Sequence, residues 1–328
     1  MAFFPLILVI ISLSSLIFIN PVQSQLKPNY YHKSCPRFDQ IIQETITNKQ
    51  IISPSTAAGT LRLFFHDCFV QGCDASVLIT STPFNKAERD ADINLSLPGD
   101  AFDVIVRAKI ALELACPGIV SCADILAVST RDLVRMVGGP YYNLKLGRKD
   151  SFTSKSINVD GKLPKPTMSI NQLLDIFFSN GFSIQEMVAL SGAHTIGFSH
   201  CKEFSSGLYN YGGKKEQFDP TYNPRFAEAL RKACADSQKN PTLSVFNDIM
   251  TPNNFDNSYF QNLPKGWGLL SSDRAFFSDQ RTKPFVQLFS ANQTAFFEAF
   301  GLAMVKLSEN GVKIGRQGEI RRRCDAFN

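Results

Sequence analysis

Beyond residue 24 the sequence has no apolar run approaching the ~20 residues that a membrane span requires. Strict apolar/polar alternation is scarce, which excludes a sheet-based fold and leaves helices as the main elements. No Cys-x2-Cys pair exists, and the closest spaced cysteines, Cys68/Cys73 and Cys116/Cys122, stand too far apart for a usual zinc knuckle. Basic runs interleaved with aromatics are missing. Arg321-Arg322-Arg323 is the longest basic run and reads as a solvated tail, so nucleic acid is not an expected partner. Repeats and low-complexity tracts are absent too. Histidine is rare, with four in 328 residues, and tryptophan occurs once, at Trp267. The histidine census is therefore short. His32 sits among Tyr30, Tyr31 and Lys33 and reads as a surface residue, and His200 beside Cys201 takes no role, leaving His66 and His194.

What is present begins with an apolar N-terminus. Residues 3–11 and 13–19 are almost wholly apolar, and Val22-Gln23-Ser24 offers small residues before a cut at Gln25. Residues 1–24 are expected to be a secretory signal peptide, although they lack an N-terminal Lys or Arg. Ser12, Ser14 and Ser15, with no basic stop after them, argue against a membrane anchor. The expected mature chain, residues 25–328, then forms a single domain and carries the whole net charge of +5. That charge predicts affinity for polyanions, which outside the cell means acidic polysaccharide. An even count of eight cysteines behind a signal peptide implies disulfides, with about a hundred possible pairings.

Helical periodicity predicts an all-α class. Residues 36–52, 55–69, 101–115, 123–136, 170–178, 224–234, 282–289 and 293–309 carry apolar residues at spacings of three and four. Ser183 with Glu186 makes a capping box for a further helix ending at Ser191-Gly192. Residues 149–166 are polar and close on Leu163-Pro164-Lys165-Pro166, the best place for a boundary or surface crossover. The stretch from Leu61 to Ser76 is the most informative. Arg62 and His66 share one helical face in an apolar setting, a pairing suited to moving a proton while stabilising developing negative charge. A cysteine ring and the oxygen donors Asp67, Asp74 and Ser76 follow at once.

This string resembles the distal haem segment of the secreted plant (class III) peroxidases. The resemblance extends through Ser34-Cys35-Pro36, Val120-Ser121-Cys122-Ala123-Asp124, Gly138-Gly139-Pro140, Leu146-Gly147-Arg148-Lys149-Asp150, Leu163-Pro164-Lys165-Pro166, Ser191 to Gly197, Phe255-Asp256-Asn257 and Leu270-Ser271-Ser272-Asp273. It implies a two-lobed fold with minor short β, one haem b between distal and proximal lobes, and two calcium ions. It also implies reduction of hydrogen peroxide with one-electron oxidation of phenolic donors, in cell-wall phenolic metabolism such as lignin formation and in the oxidative stress response. No Cys-x-x-Cys-His is present, so the haem would be non-covalent.

Carried over by motif, His194 would be the axial iron ligand and Asp273 the carboxylate that orients it and strengthens its basicity. His66 would accept the peroxide proton, Arg62 stabilise the transition state, and Asn94 orient His66. Phe65 would lie over the haem and Pro164 line the donor site. One calcium would take Asp67, Val70, Gly72, Asp74 and Ser76; the other Thr195, Asp248, Thr251, Asn254 and Asp256. The resemblance pairs Cys35 with Cys116, Cys68 with Cys73, Cys122 with Cys324, and Cys201 with Cys234. It implies a monomer. With four residues after Cys324, the cell wall or extracellular space is expected rather than the vacuole.

Three departures stand out. Asn247 replaces the usual apolar residue before Asp248, which predicts more polar packing beside His194. Asp92-Ile93 replaces the common glycine-rich turn before Asn94. Asn94-Leu95-Ser96 and Asn292-Gln293-Thr294 are glycosylation sequons, of which only Asn292 is expected to serve. A calcium-stabilised wall protein without turnover and a haem scavenger are the rival readings. Both are disfavoured by the retention of Arg62, His66 and His194, and a Soret band with peroxide-dependent phenol oxidation would separate all three.

Overall fold

Apolar spacing and local capping account for the longer helices of the computed structural model, which describes residues 26–328. The segment read as a signal peptide lies outside the described residues. Helix α1 (Phe38–Ile52) buries Phe38, Ile41, Ile42 and Ile46 on one face. Helix α2 (Thr56–Val70) carries the Arg62/His66 pair, and α3 (Gly99–Ala115) packs against it. Helix α4 (Cys122–Met136) starts where the Ser121 hydroxyl accepts from the Asp124 N–H. Reciprocal capping boxes open α5 (Ile170–Ser179) at Ser169/Gln172 and α6 (Ile184–Ser191) at Ser183/Glu186, the latter as the sequence predicts.

The remaining helices are α7 (Ser205–Tyr209), α8 (Pro224–Ala233), α9 (Ser258–Asn262), α10 (Ser271–Ser278), α11 (Lys283–Ala291) and α12 (Gln293–Ser308). Short α7, α9 and α10 escape the periodicity analysis: none has a side-chain N-cap, and each is shorter than the window in which helical spacing becomes readable. Among the described residues the only sheet is the antiparallel pair β1 (Phe198–His200) and β2 (Ser244–Phe246). About 53% of the described residues are helical, so the class is all-α with minor β.

Helices α1 to α4 pack on one another, α6, α9, α11 and α12 form a second group, and α12 also touches α2. One large core runs through both groups. A smaller core of Phe204, Leu208, Phe226 and Leu230 lies around α7 and α8. The turn before Asn94 is not glycine-rich; two short 3-10 segments, Glu88–Asp90 and Asp92–Asn94, replace it.

All eight cysteines are bridged, as Cys35–Cys116, Cys68–Cys73, Cys122–Cys324 and Cys201–Cys234. The Cys122–Cys324 bridge closes a separation of 202 residues at the start of α4. Next to it lies a buried polar knot. Asp124 accepts from Tyr31 Oη at 2.8 Å, the Gly147 N–H at 2.6 Å and Arg148 Nη1 at 2.8 Å. Arg148 also donates to the Ser308 carbonyl from Nε and Nη2, so its cation joins α4 to the end of α12. Removing one partner of a fully buried pair strands the other charge. Asp124→Ala is expected to cost about 3–5 kcal/mol in chemical unfolding with the disulfides intact. A loss below about 1 kcal/mol, the range of exposed pairs, would show that this knot is not an anchor.

Candidate active site

Helix α2 is buried around almost its whole circumference. Only Ala58, Arg62 and Phe65 are not fully covered, and their i, i+4, i+7 spacing makes them one stripe. A partly open stripe on such a central helix must face an internal space. Its opposite wall is fixed at Gly197, whose φ of +89° suits glycine and where an added Cβ would stand 2.9 Å from the Ala58 Cβ. Gly197 follows His194 by three residues, so the turn after His194 presses on α2 one helical turn from Arg62.

His66 Nδ1 lies 2.6 Å from Asn94 Oδ1, and the Asn94 amide nitrogen donates to the Glu88 carbonyl at 2.7 Å. Arg62 Nε–H donates to His66 Nε2 at 3.2 Å. An acceptor at Nε2 places the hydrogen on Nδ1, which donates to Asn94. Burial, and then the Arg62 charge, push the His66 pKa down to about 3 against the opposing Asn94 bond. The imidazole is therefore a neutral base at physiological pH. Burial also lowers the Arg62 pKa, with Glu203 partly offsetting it. Phe65 stacks on Phe69 with centroids 4.1 Å apart and lies edge-on to His66.

Across the cleft, His194 lies within the 3-10 segment Gly192–Thr195 after α6. Its Nδ1 lies 3.0 Å from Oδ1 of buried Asp273 on α10, which leaves Nε2 free. The ring sits deep in the protein, yet 39% of its side chain is accessible, because it fronts the cleft. Burial disfavours its charged form, but the charge and hydrogen bond of Asp273 outweigh this and raise the His194 pKa, while Arg62 opposes them. Arg62 thus acts electrostatically on both histidines. The aromatic neighbour of His194 is Tyr259, edge-on at 6.1 Å. Asn247 is occupied elsewhere: Oδ1 accepts from Ser199 Oγ at 2.6 Å and Nδ2 donates to the Ile196 carbonyl at 3.4 Å, clipping β1 to β2. Pro164 is half-buried, two residues before Pro166, whose carbonyl accepts from Ser271 and Ser272 at the start of α10.

Two oxygen-rich clusters flank these histidines. Asp67 receives the N–H groups of Ala75 and Val77, Asp74 receives that of Ser76, and Ser76 Oγ donates to Glu88 Oε2 at 2.8 Å. Asp74 Oδ2 and Glu88 Oε1 are buried without a hydrogen-bond partner. Burial, then the nearby Asp74 charge, raises Asp67, and burial pushes Glu88 up to about 7. The chain bends here at Gly72 (φ +112°), where any Cβ would collide with Gly311. In the second cluster Thr251 Oγ1 contacts Asp248 Oδ2 and Asp256 Oδ1, and Thr195 Oγ1 lies 3.5 Å from both the Asn254 carbonyl and Asp256 Oδ1. Asn254 Nδ2 also donates to Asp256. No group of three or more His, Cys, Asp or Glu among the described residues is arranged to hold a metal, so an ion in either cluster would also need hydroxyl and carbonyl oxygens.

A model of the family described as Peroxidase matches residues 38–292. The chain is 62% identical to Peroxidase 63 of Arabidopsis thaliana, over 98% of its own length and 96% of that protein's. It is also 62% identical to Peroxidase 31 of the same plant, covering 95% and 96%, and 59% identical to Peroxidase 65, covering 92% and 89%. The chain belongs to the class III peroxidase family. It is a peroxidase, and its family implies haem.

In this peroxidase the structure adds two site residues that sequence reasoning did not single out. Glu88 supplies the third buried carboxylate of the first cluster, and Ser96 contacts Arg62; one lies in a three-residue 3-10 segment and the other in a turn, where no periodicity marks them. Asn94 is 2% exposed, with both ends of its amide engaged. Its sequon is therefore expected to stay unmodified in the enzyme produced by plant cells. Peptide mass mapping that finds a glycan on Asn94 would overturn the His66–Asn94 geometry.

Proposed function

We propose that this enzyme reduces hydrogen peroxide at a haem held by His194 and oxidises small phenolic donors, after secretion to the cell wall. The open stripe Ala58–Arg62–Phe65, with the turn after His194 pressed on Ala58 and Nε2 of His194 free, carries the reading, because it suits a flat group held from the His194 side. When bound, haem would store the oxidising equivalents drawn from peroxide. His194 would hold the iron through Nε2, and Asp273, accepting the Nδ1–H, would make that nitrogen more electron-rich. On the other side, neutral His66 would take the peroxide proton at Nε2 and return it to the leaving oxygen. Asn94 would keep Nδ1 protonated so that Nε2 stays available. Arg62 would stabilise the negative charge that grows as the O–O bond breaks. Phe65 would restrict access and Pro164 would line the donor approach. Residues 25–328 would work as one monomeric unit, and the net charge of +5 favours contact with acidic wall polysaccharide.

Calcium fits the two oxygen clusters. Asp67, Asp74 and Ser76, with the Val70 and Gly72 carbonyls, would surround one ion, which would neutralise crowded carboxylates and use the unpartnered Asp74 oxygen. Thr195, Asp248, Thr251, Asn254 and Asp256 would surround the other. Verified calcium removal is expected to lower the thermal midpoint and the activity together, as loss of a ligand bound only by the folded state requires. An unchanged midpoint after removal would refute both sites.

The central test is His66→Ala. Stopped-flow measurement of the first peroxide-dependent spectral change should show slowing of at least the ~10²–10⁴-fold attributed to general acid–base catalysis, with haem still bound. Arg62→Leu should slow the same step, and later steps with phenols should suffer less in both. A wild-type rate in His66→Ala would make this histidine structural and sink the mechanism.

A further inference from the structure

The Arg62 guanidinium is committed before any substrate arrives. Nε–H donates to His66 Nε2, Nη1 to the Ser96 carbonyl at 3.2 Å, and Nη2 to Ser96 Oγ at 2.9 Å and the Ile93 carbonyl at 3.5 Å. A guanidinium has five N–H donors, so at most one is left for a ligand. The same arrangement covers the His66 lone pair that has to take the peroxide proton. Arg62 must therefore turn away from this place to act, and what retains it sets how often it does so.

Three of the four retaining groups would survive any substitution at position 96. They are the His66 ring and two backbone carbonyls of a turn closed by the Leu97 N–H to the Asn94 carbonyl. The Ser96 hydroxyl is the exception. Its roles are complementary: it accepts from Arg62 at 2.9 Å and donates to the Ile93 carbonyl at 3.4 Å. It also makes the shortest contact to the cation, in a half-buried setting where a hydrogen bond to a charged donor is strong. Leu95 points out, 66% exposed, while Asn94 is buried and Ser96 half-buried, so the turn directs positions 94 and 96 inward together. One turn thus engages both distal side chains, His66 through Asn94 and Arg62 through Ser96.

We propose that Ser96 is a positioning residue that holds Arg62 retracted over His66 and so limits how readily the guanidinium reaches a bound anion or peroxide. This rests on the reading of Arg62 as the charge-stabilising group. Losing one charge-assisted hydrogen bond shifts a two-position equilibrium by roughly tenfold or more.

Fluoride, a small anion that does not turn over, provides the test in the haem-loaded enzyme, by spectrophotometric titration. Ser96→Ala should bind fluoride about tenfold more tightly than wild type, and Ser96→Thr, which restores the hydroxyl, should stay within about twofold. Arg62→Leu should weaken binding, and adding Ser96→Ala to it should change nothing further. If Arg62→Leu leaves fluoride affinity unaltered, the Arg62 reading itself fails. If Arg62→Leu weakens binding but Ser96→Ala equals wild type or binds more weakly, the Ser96 proposal is overturned and the Arg62 reading stands. Should Ser96→Ala not fold, Ser96→Cys keeps the bulk with a poorer acceptor. It is then expected to tighten binding by a smaller factor, and wild-type affinity there would equally overturn the proposal.

Discussion

The desolvation of helix α2 is the constraint on which the rest depends. Twelve of its fifteen residues are buried, His66 among them, and the three that are not form the open stripe that carries Arg62. Burial removes water from His66 and keeps the ring neutral, which a proton acceptor requires. It also makes the Arg62 charge count for more, since a cation acts more strongly where the medium screens it less. The two effects reinforce each other, because the Arg62 charge further discourages protonation of His66. An exposed helix with the same residues would hold a weaker cation and a half-protonated histidine.

The opposing wall reverses this logic. His194 is also enclosed, but Asp273 outweighs the burial and raises its pKa, where Arg62 lowers that of His66. Two histidines in one cleft thus receive opposite settings: burial and then Arg62 lower His66, while Asp273 overcomes both burial and Arg62 at His194. The Asp273 carboxylate rides on α10, a short helix without a side-chain cap, so its position depends on tertiary contacts such as the Pro166 carbonyl hydrogen bonds. Asn247, for all its polarity, adds little to this balance, because both ends of its amide are taken up in clipping β1 to β2.

Most of the long helices could be read from the chain, since α1, α3 and α4 repeat apolar residues over three turns or more. The capping box at Ser183 was equally readable, because Ser and Glu three apart have a local meaning. Helix α10 was not, although the motif around Asp273 was; a motif can mark a residue without revealing the element that carries it. The Arg62/His66 pair was visible as an i, i+4 pair. What the sequence could not show is that Arg62 lies against the 93–96 turn, since those contacts join segments about thirty residues apart. Glu88 was hidden too, because it reaches Ser76, twelve residues away, only in the folded chain.

The segment from Glu88 to Leu97 shows how burial decides between competing meanings of one sequence. Asn94-Leu95-Ser96 has the form of a glycan acceptor, which needs a free amide nitrogen and an open surface. In the fold that nitrogen is spent on the Glu88 carbonyl and the oxygen on His66, while the serine hydroxyl faces Arg62. The sequon pattern and the positioning function use the same two side chains, so they cannot both be expressed. The outcome is set by the short 3-10 segments that replace a glycine-rich turn and bring Asn94 to 2% exposure. Greater backbone freedom there would leave Asn94 able to reach solvent and would loosen its hold on His66. A stiffer, non-glycine entry therefore fits a site whose base is fixed in one tautomer by a single amide.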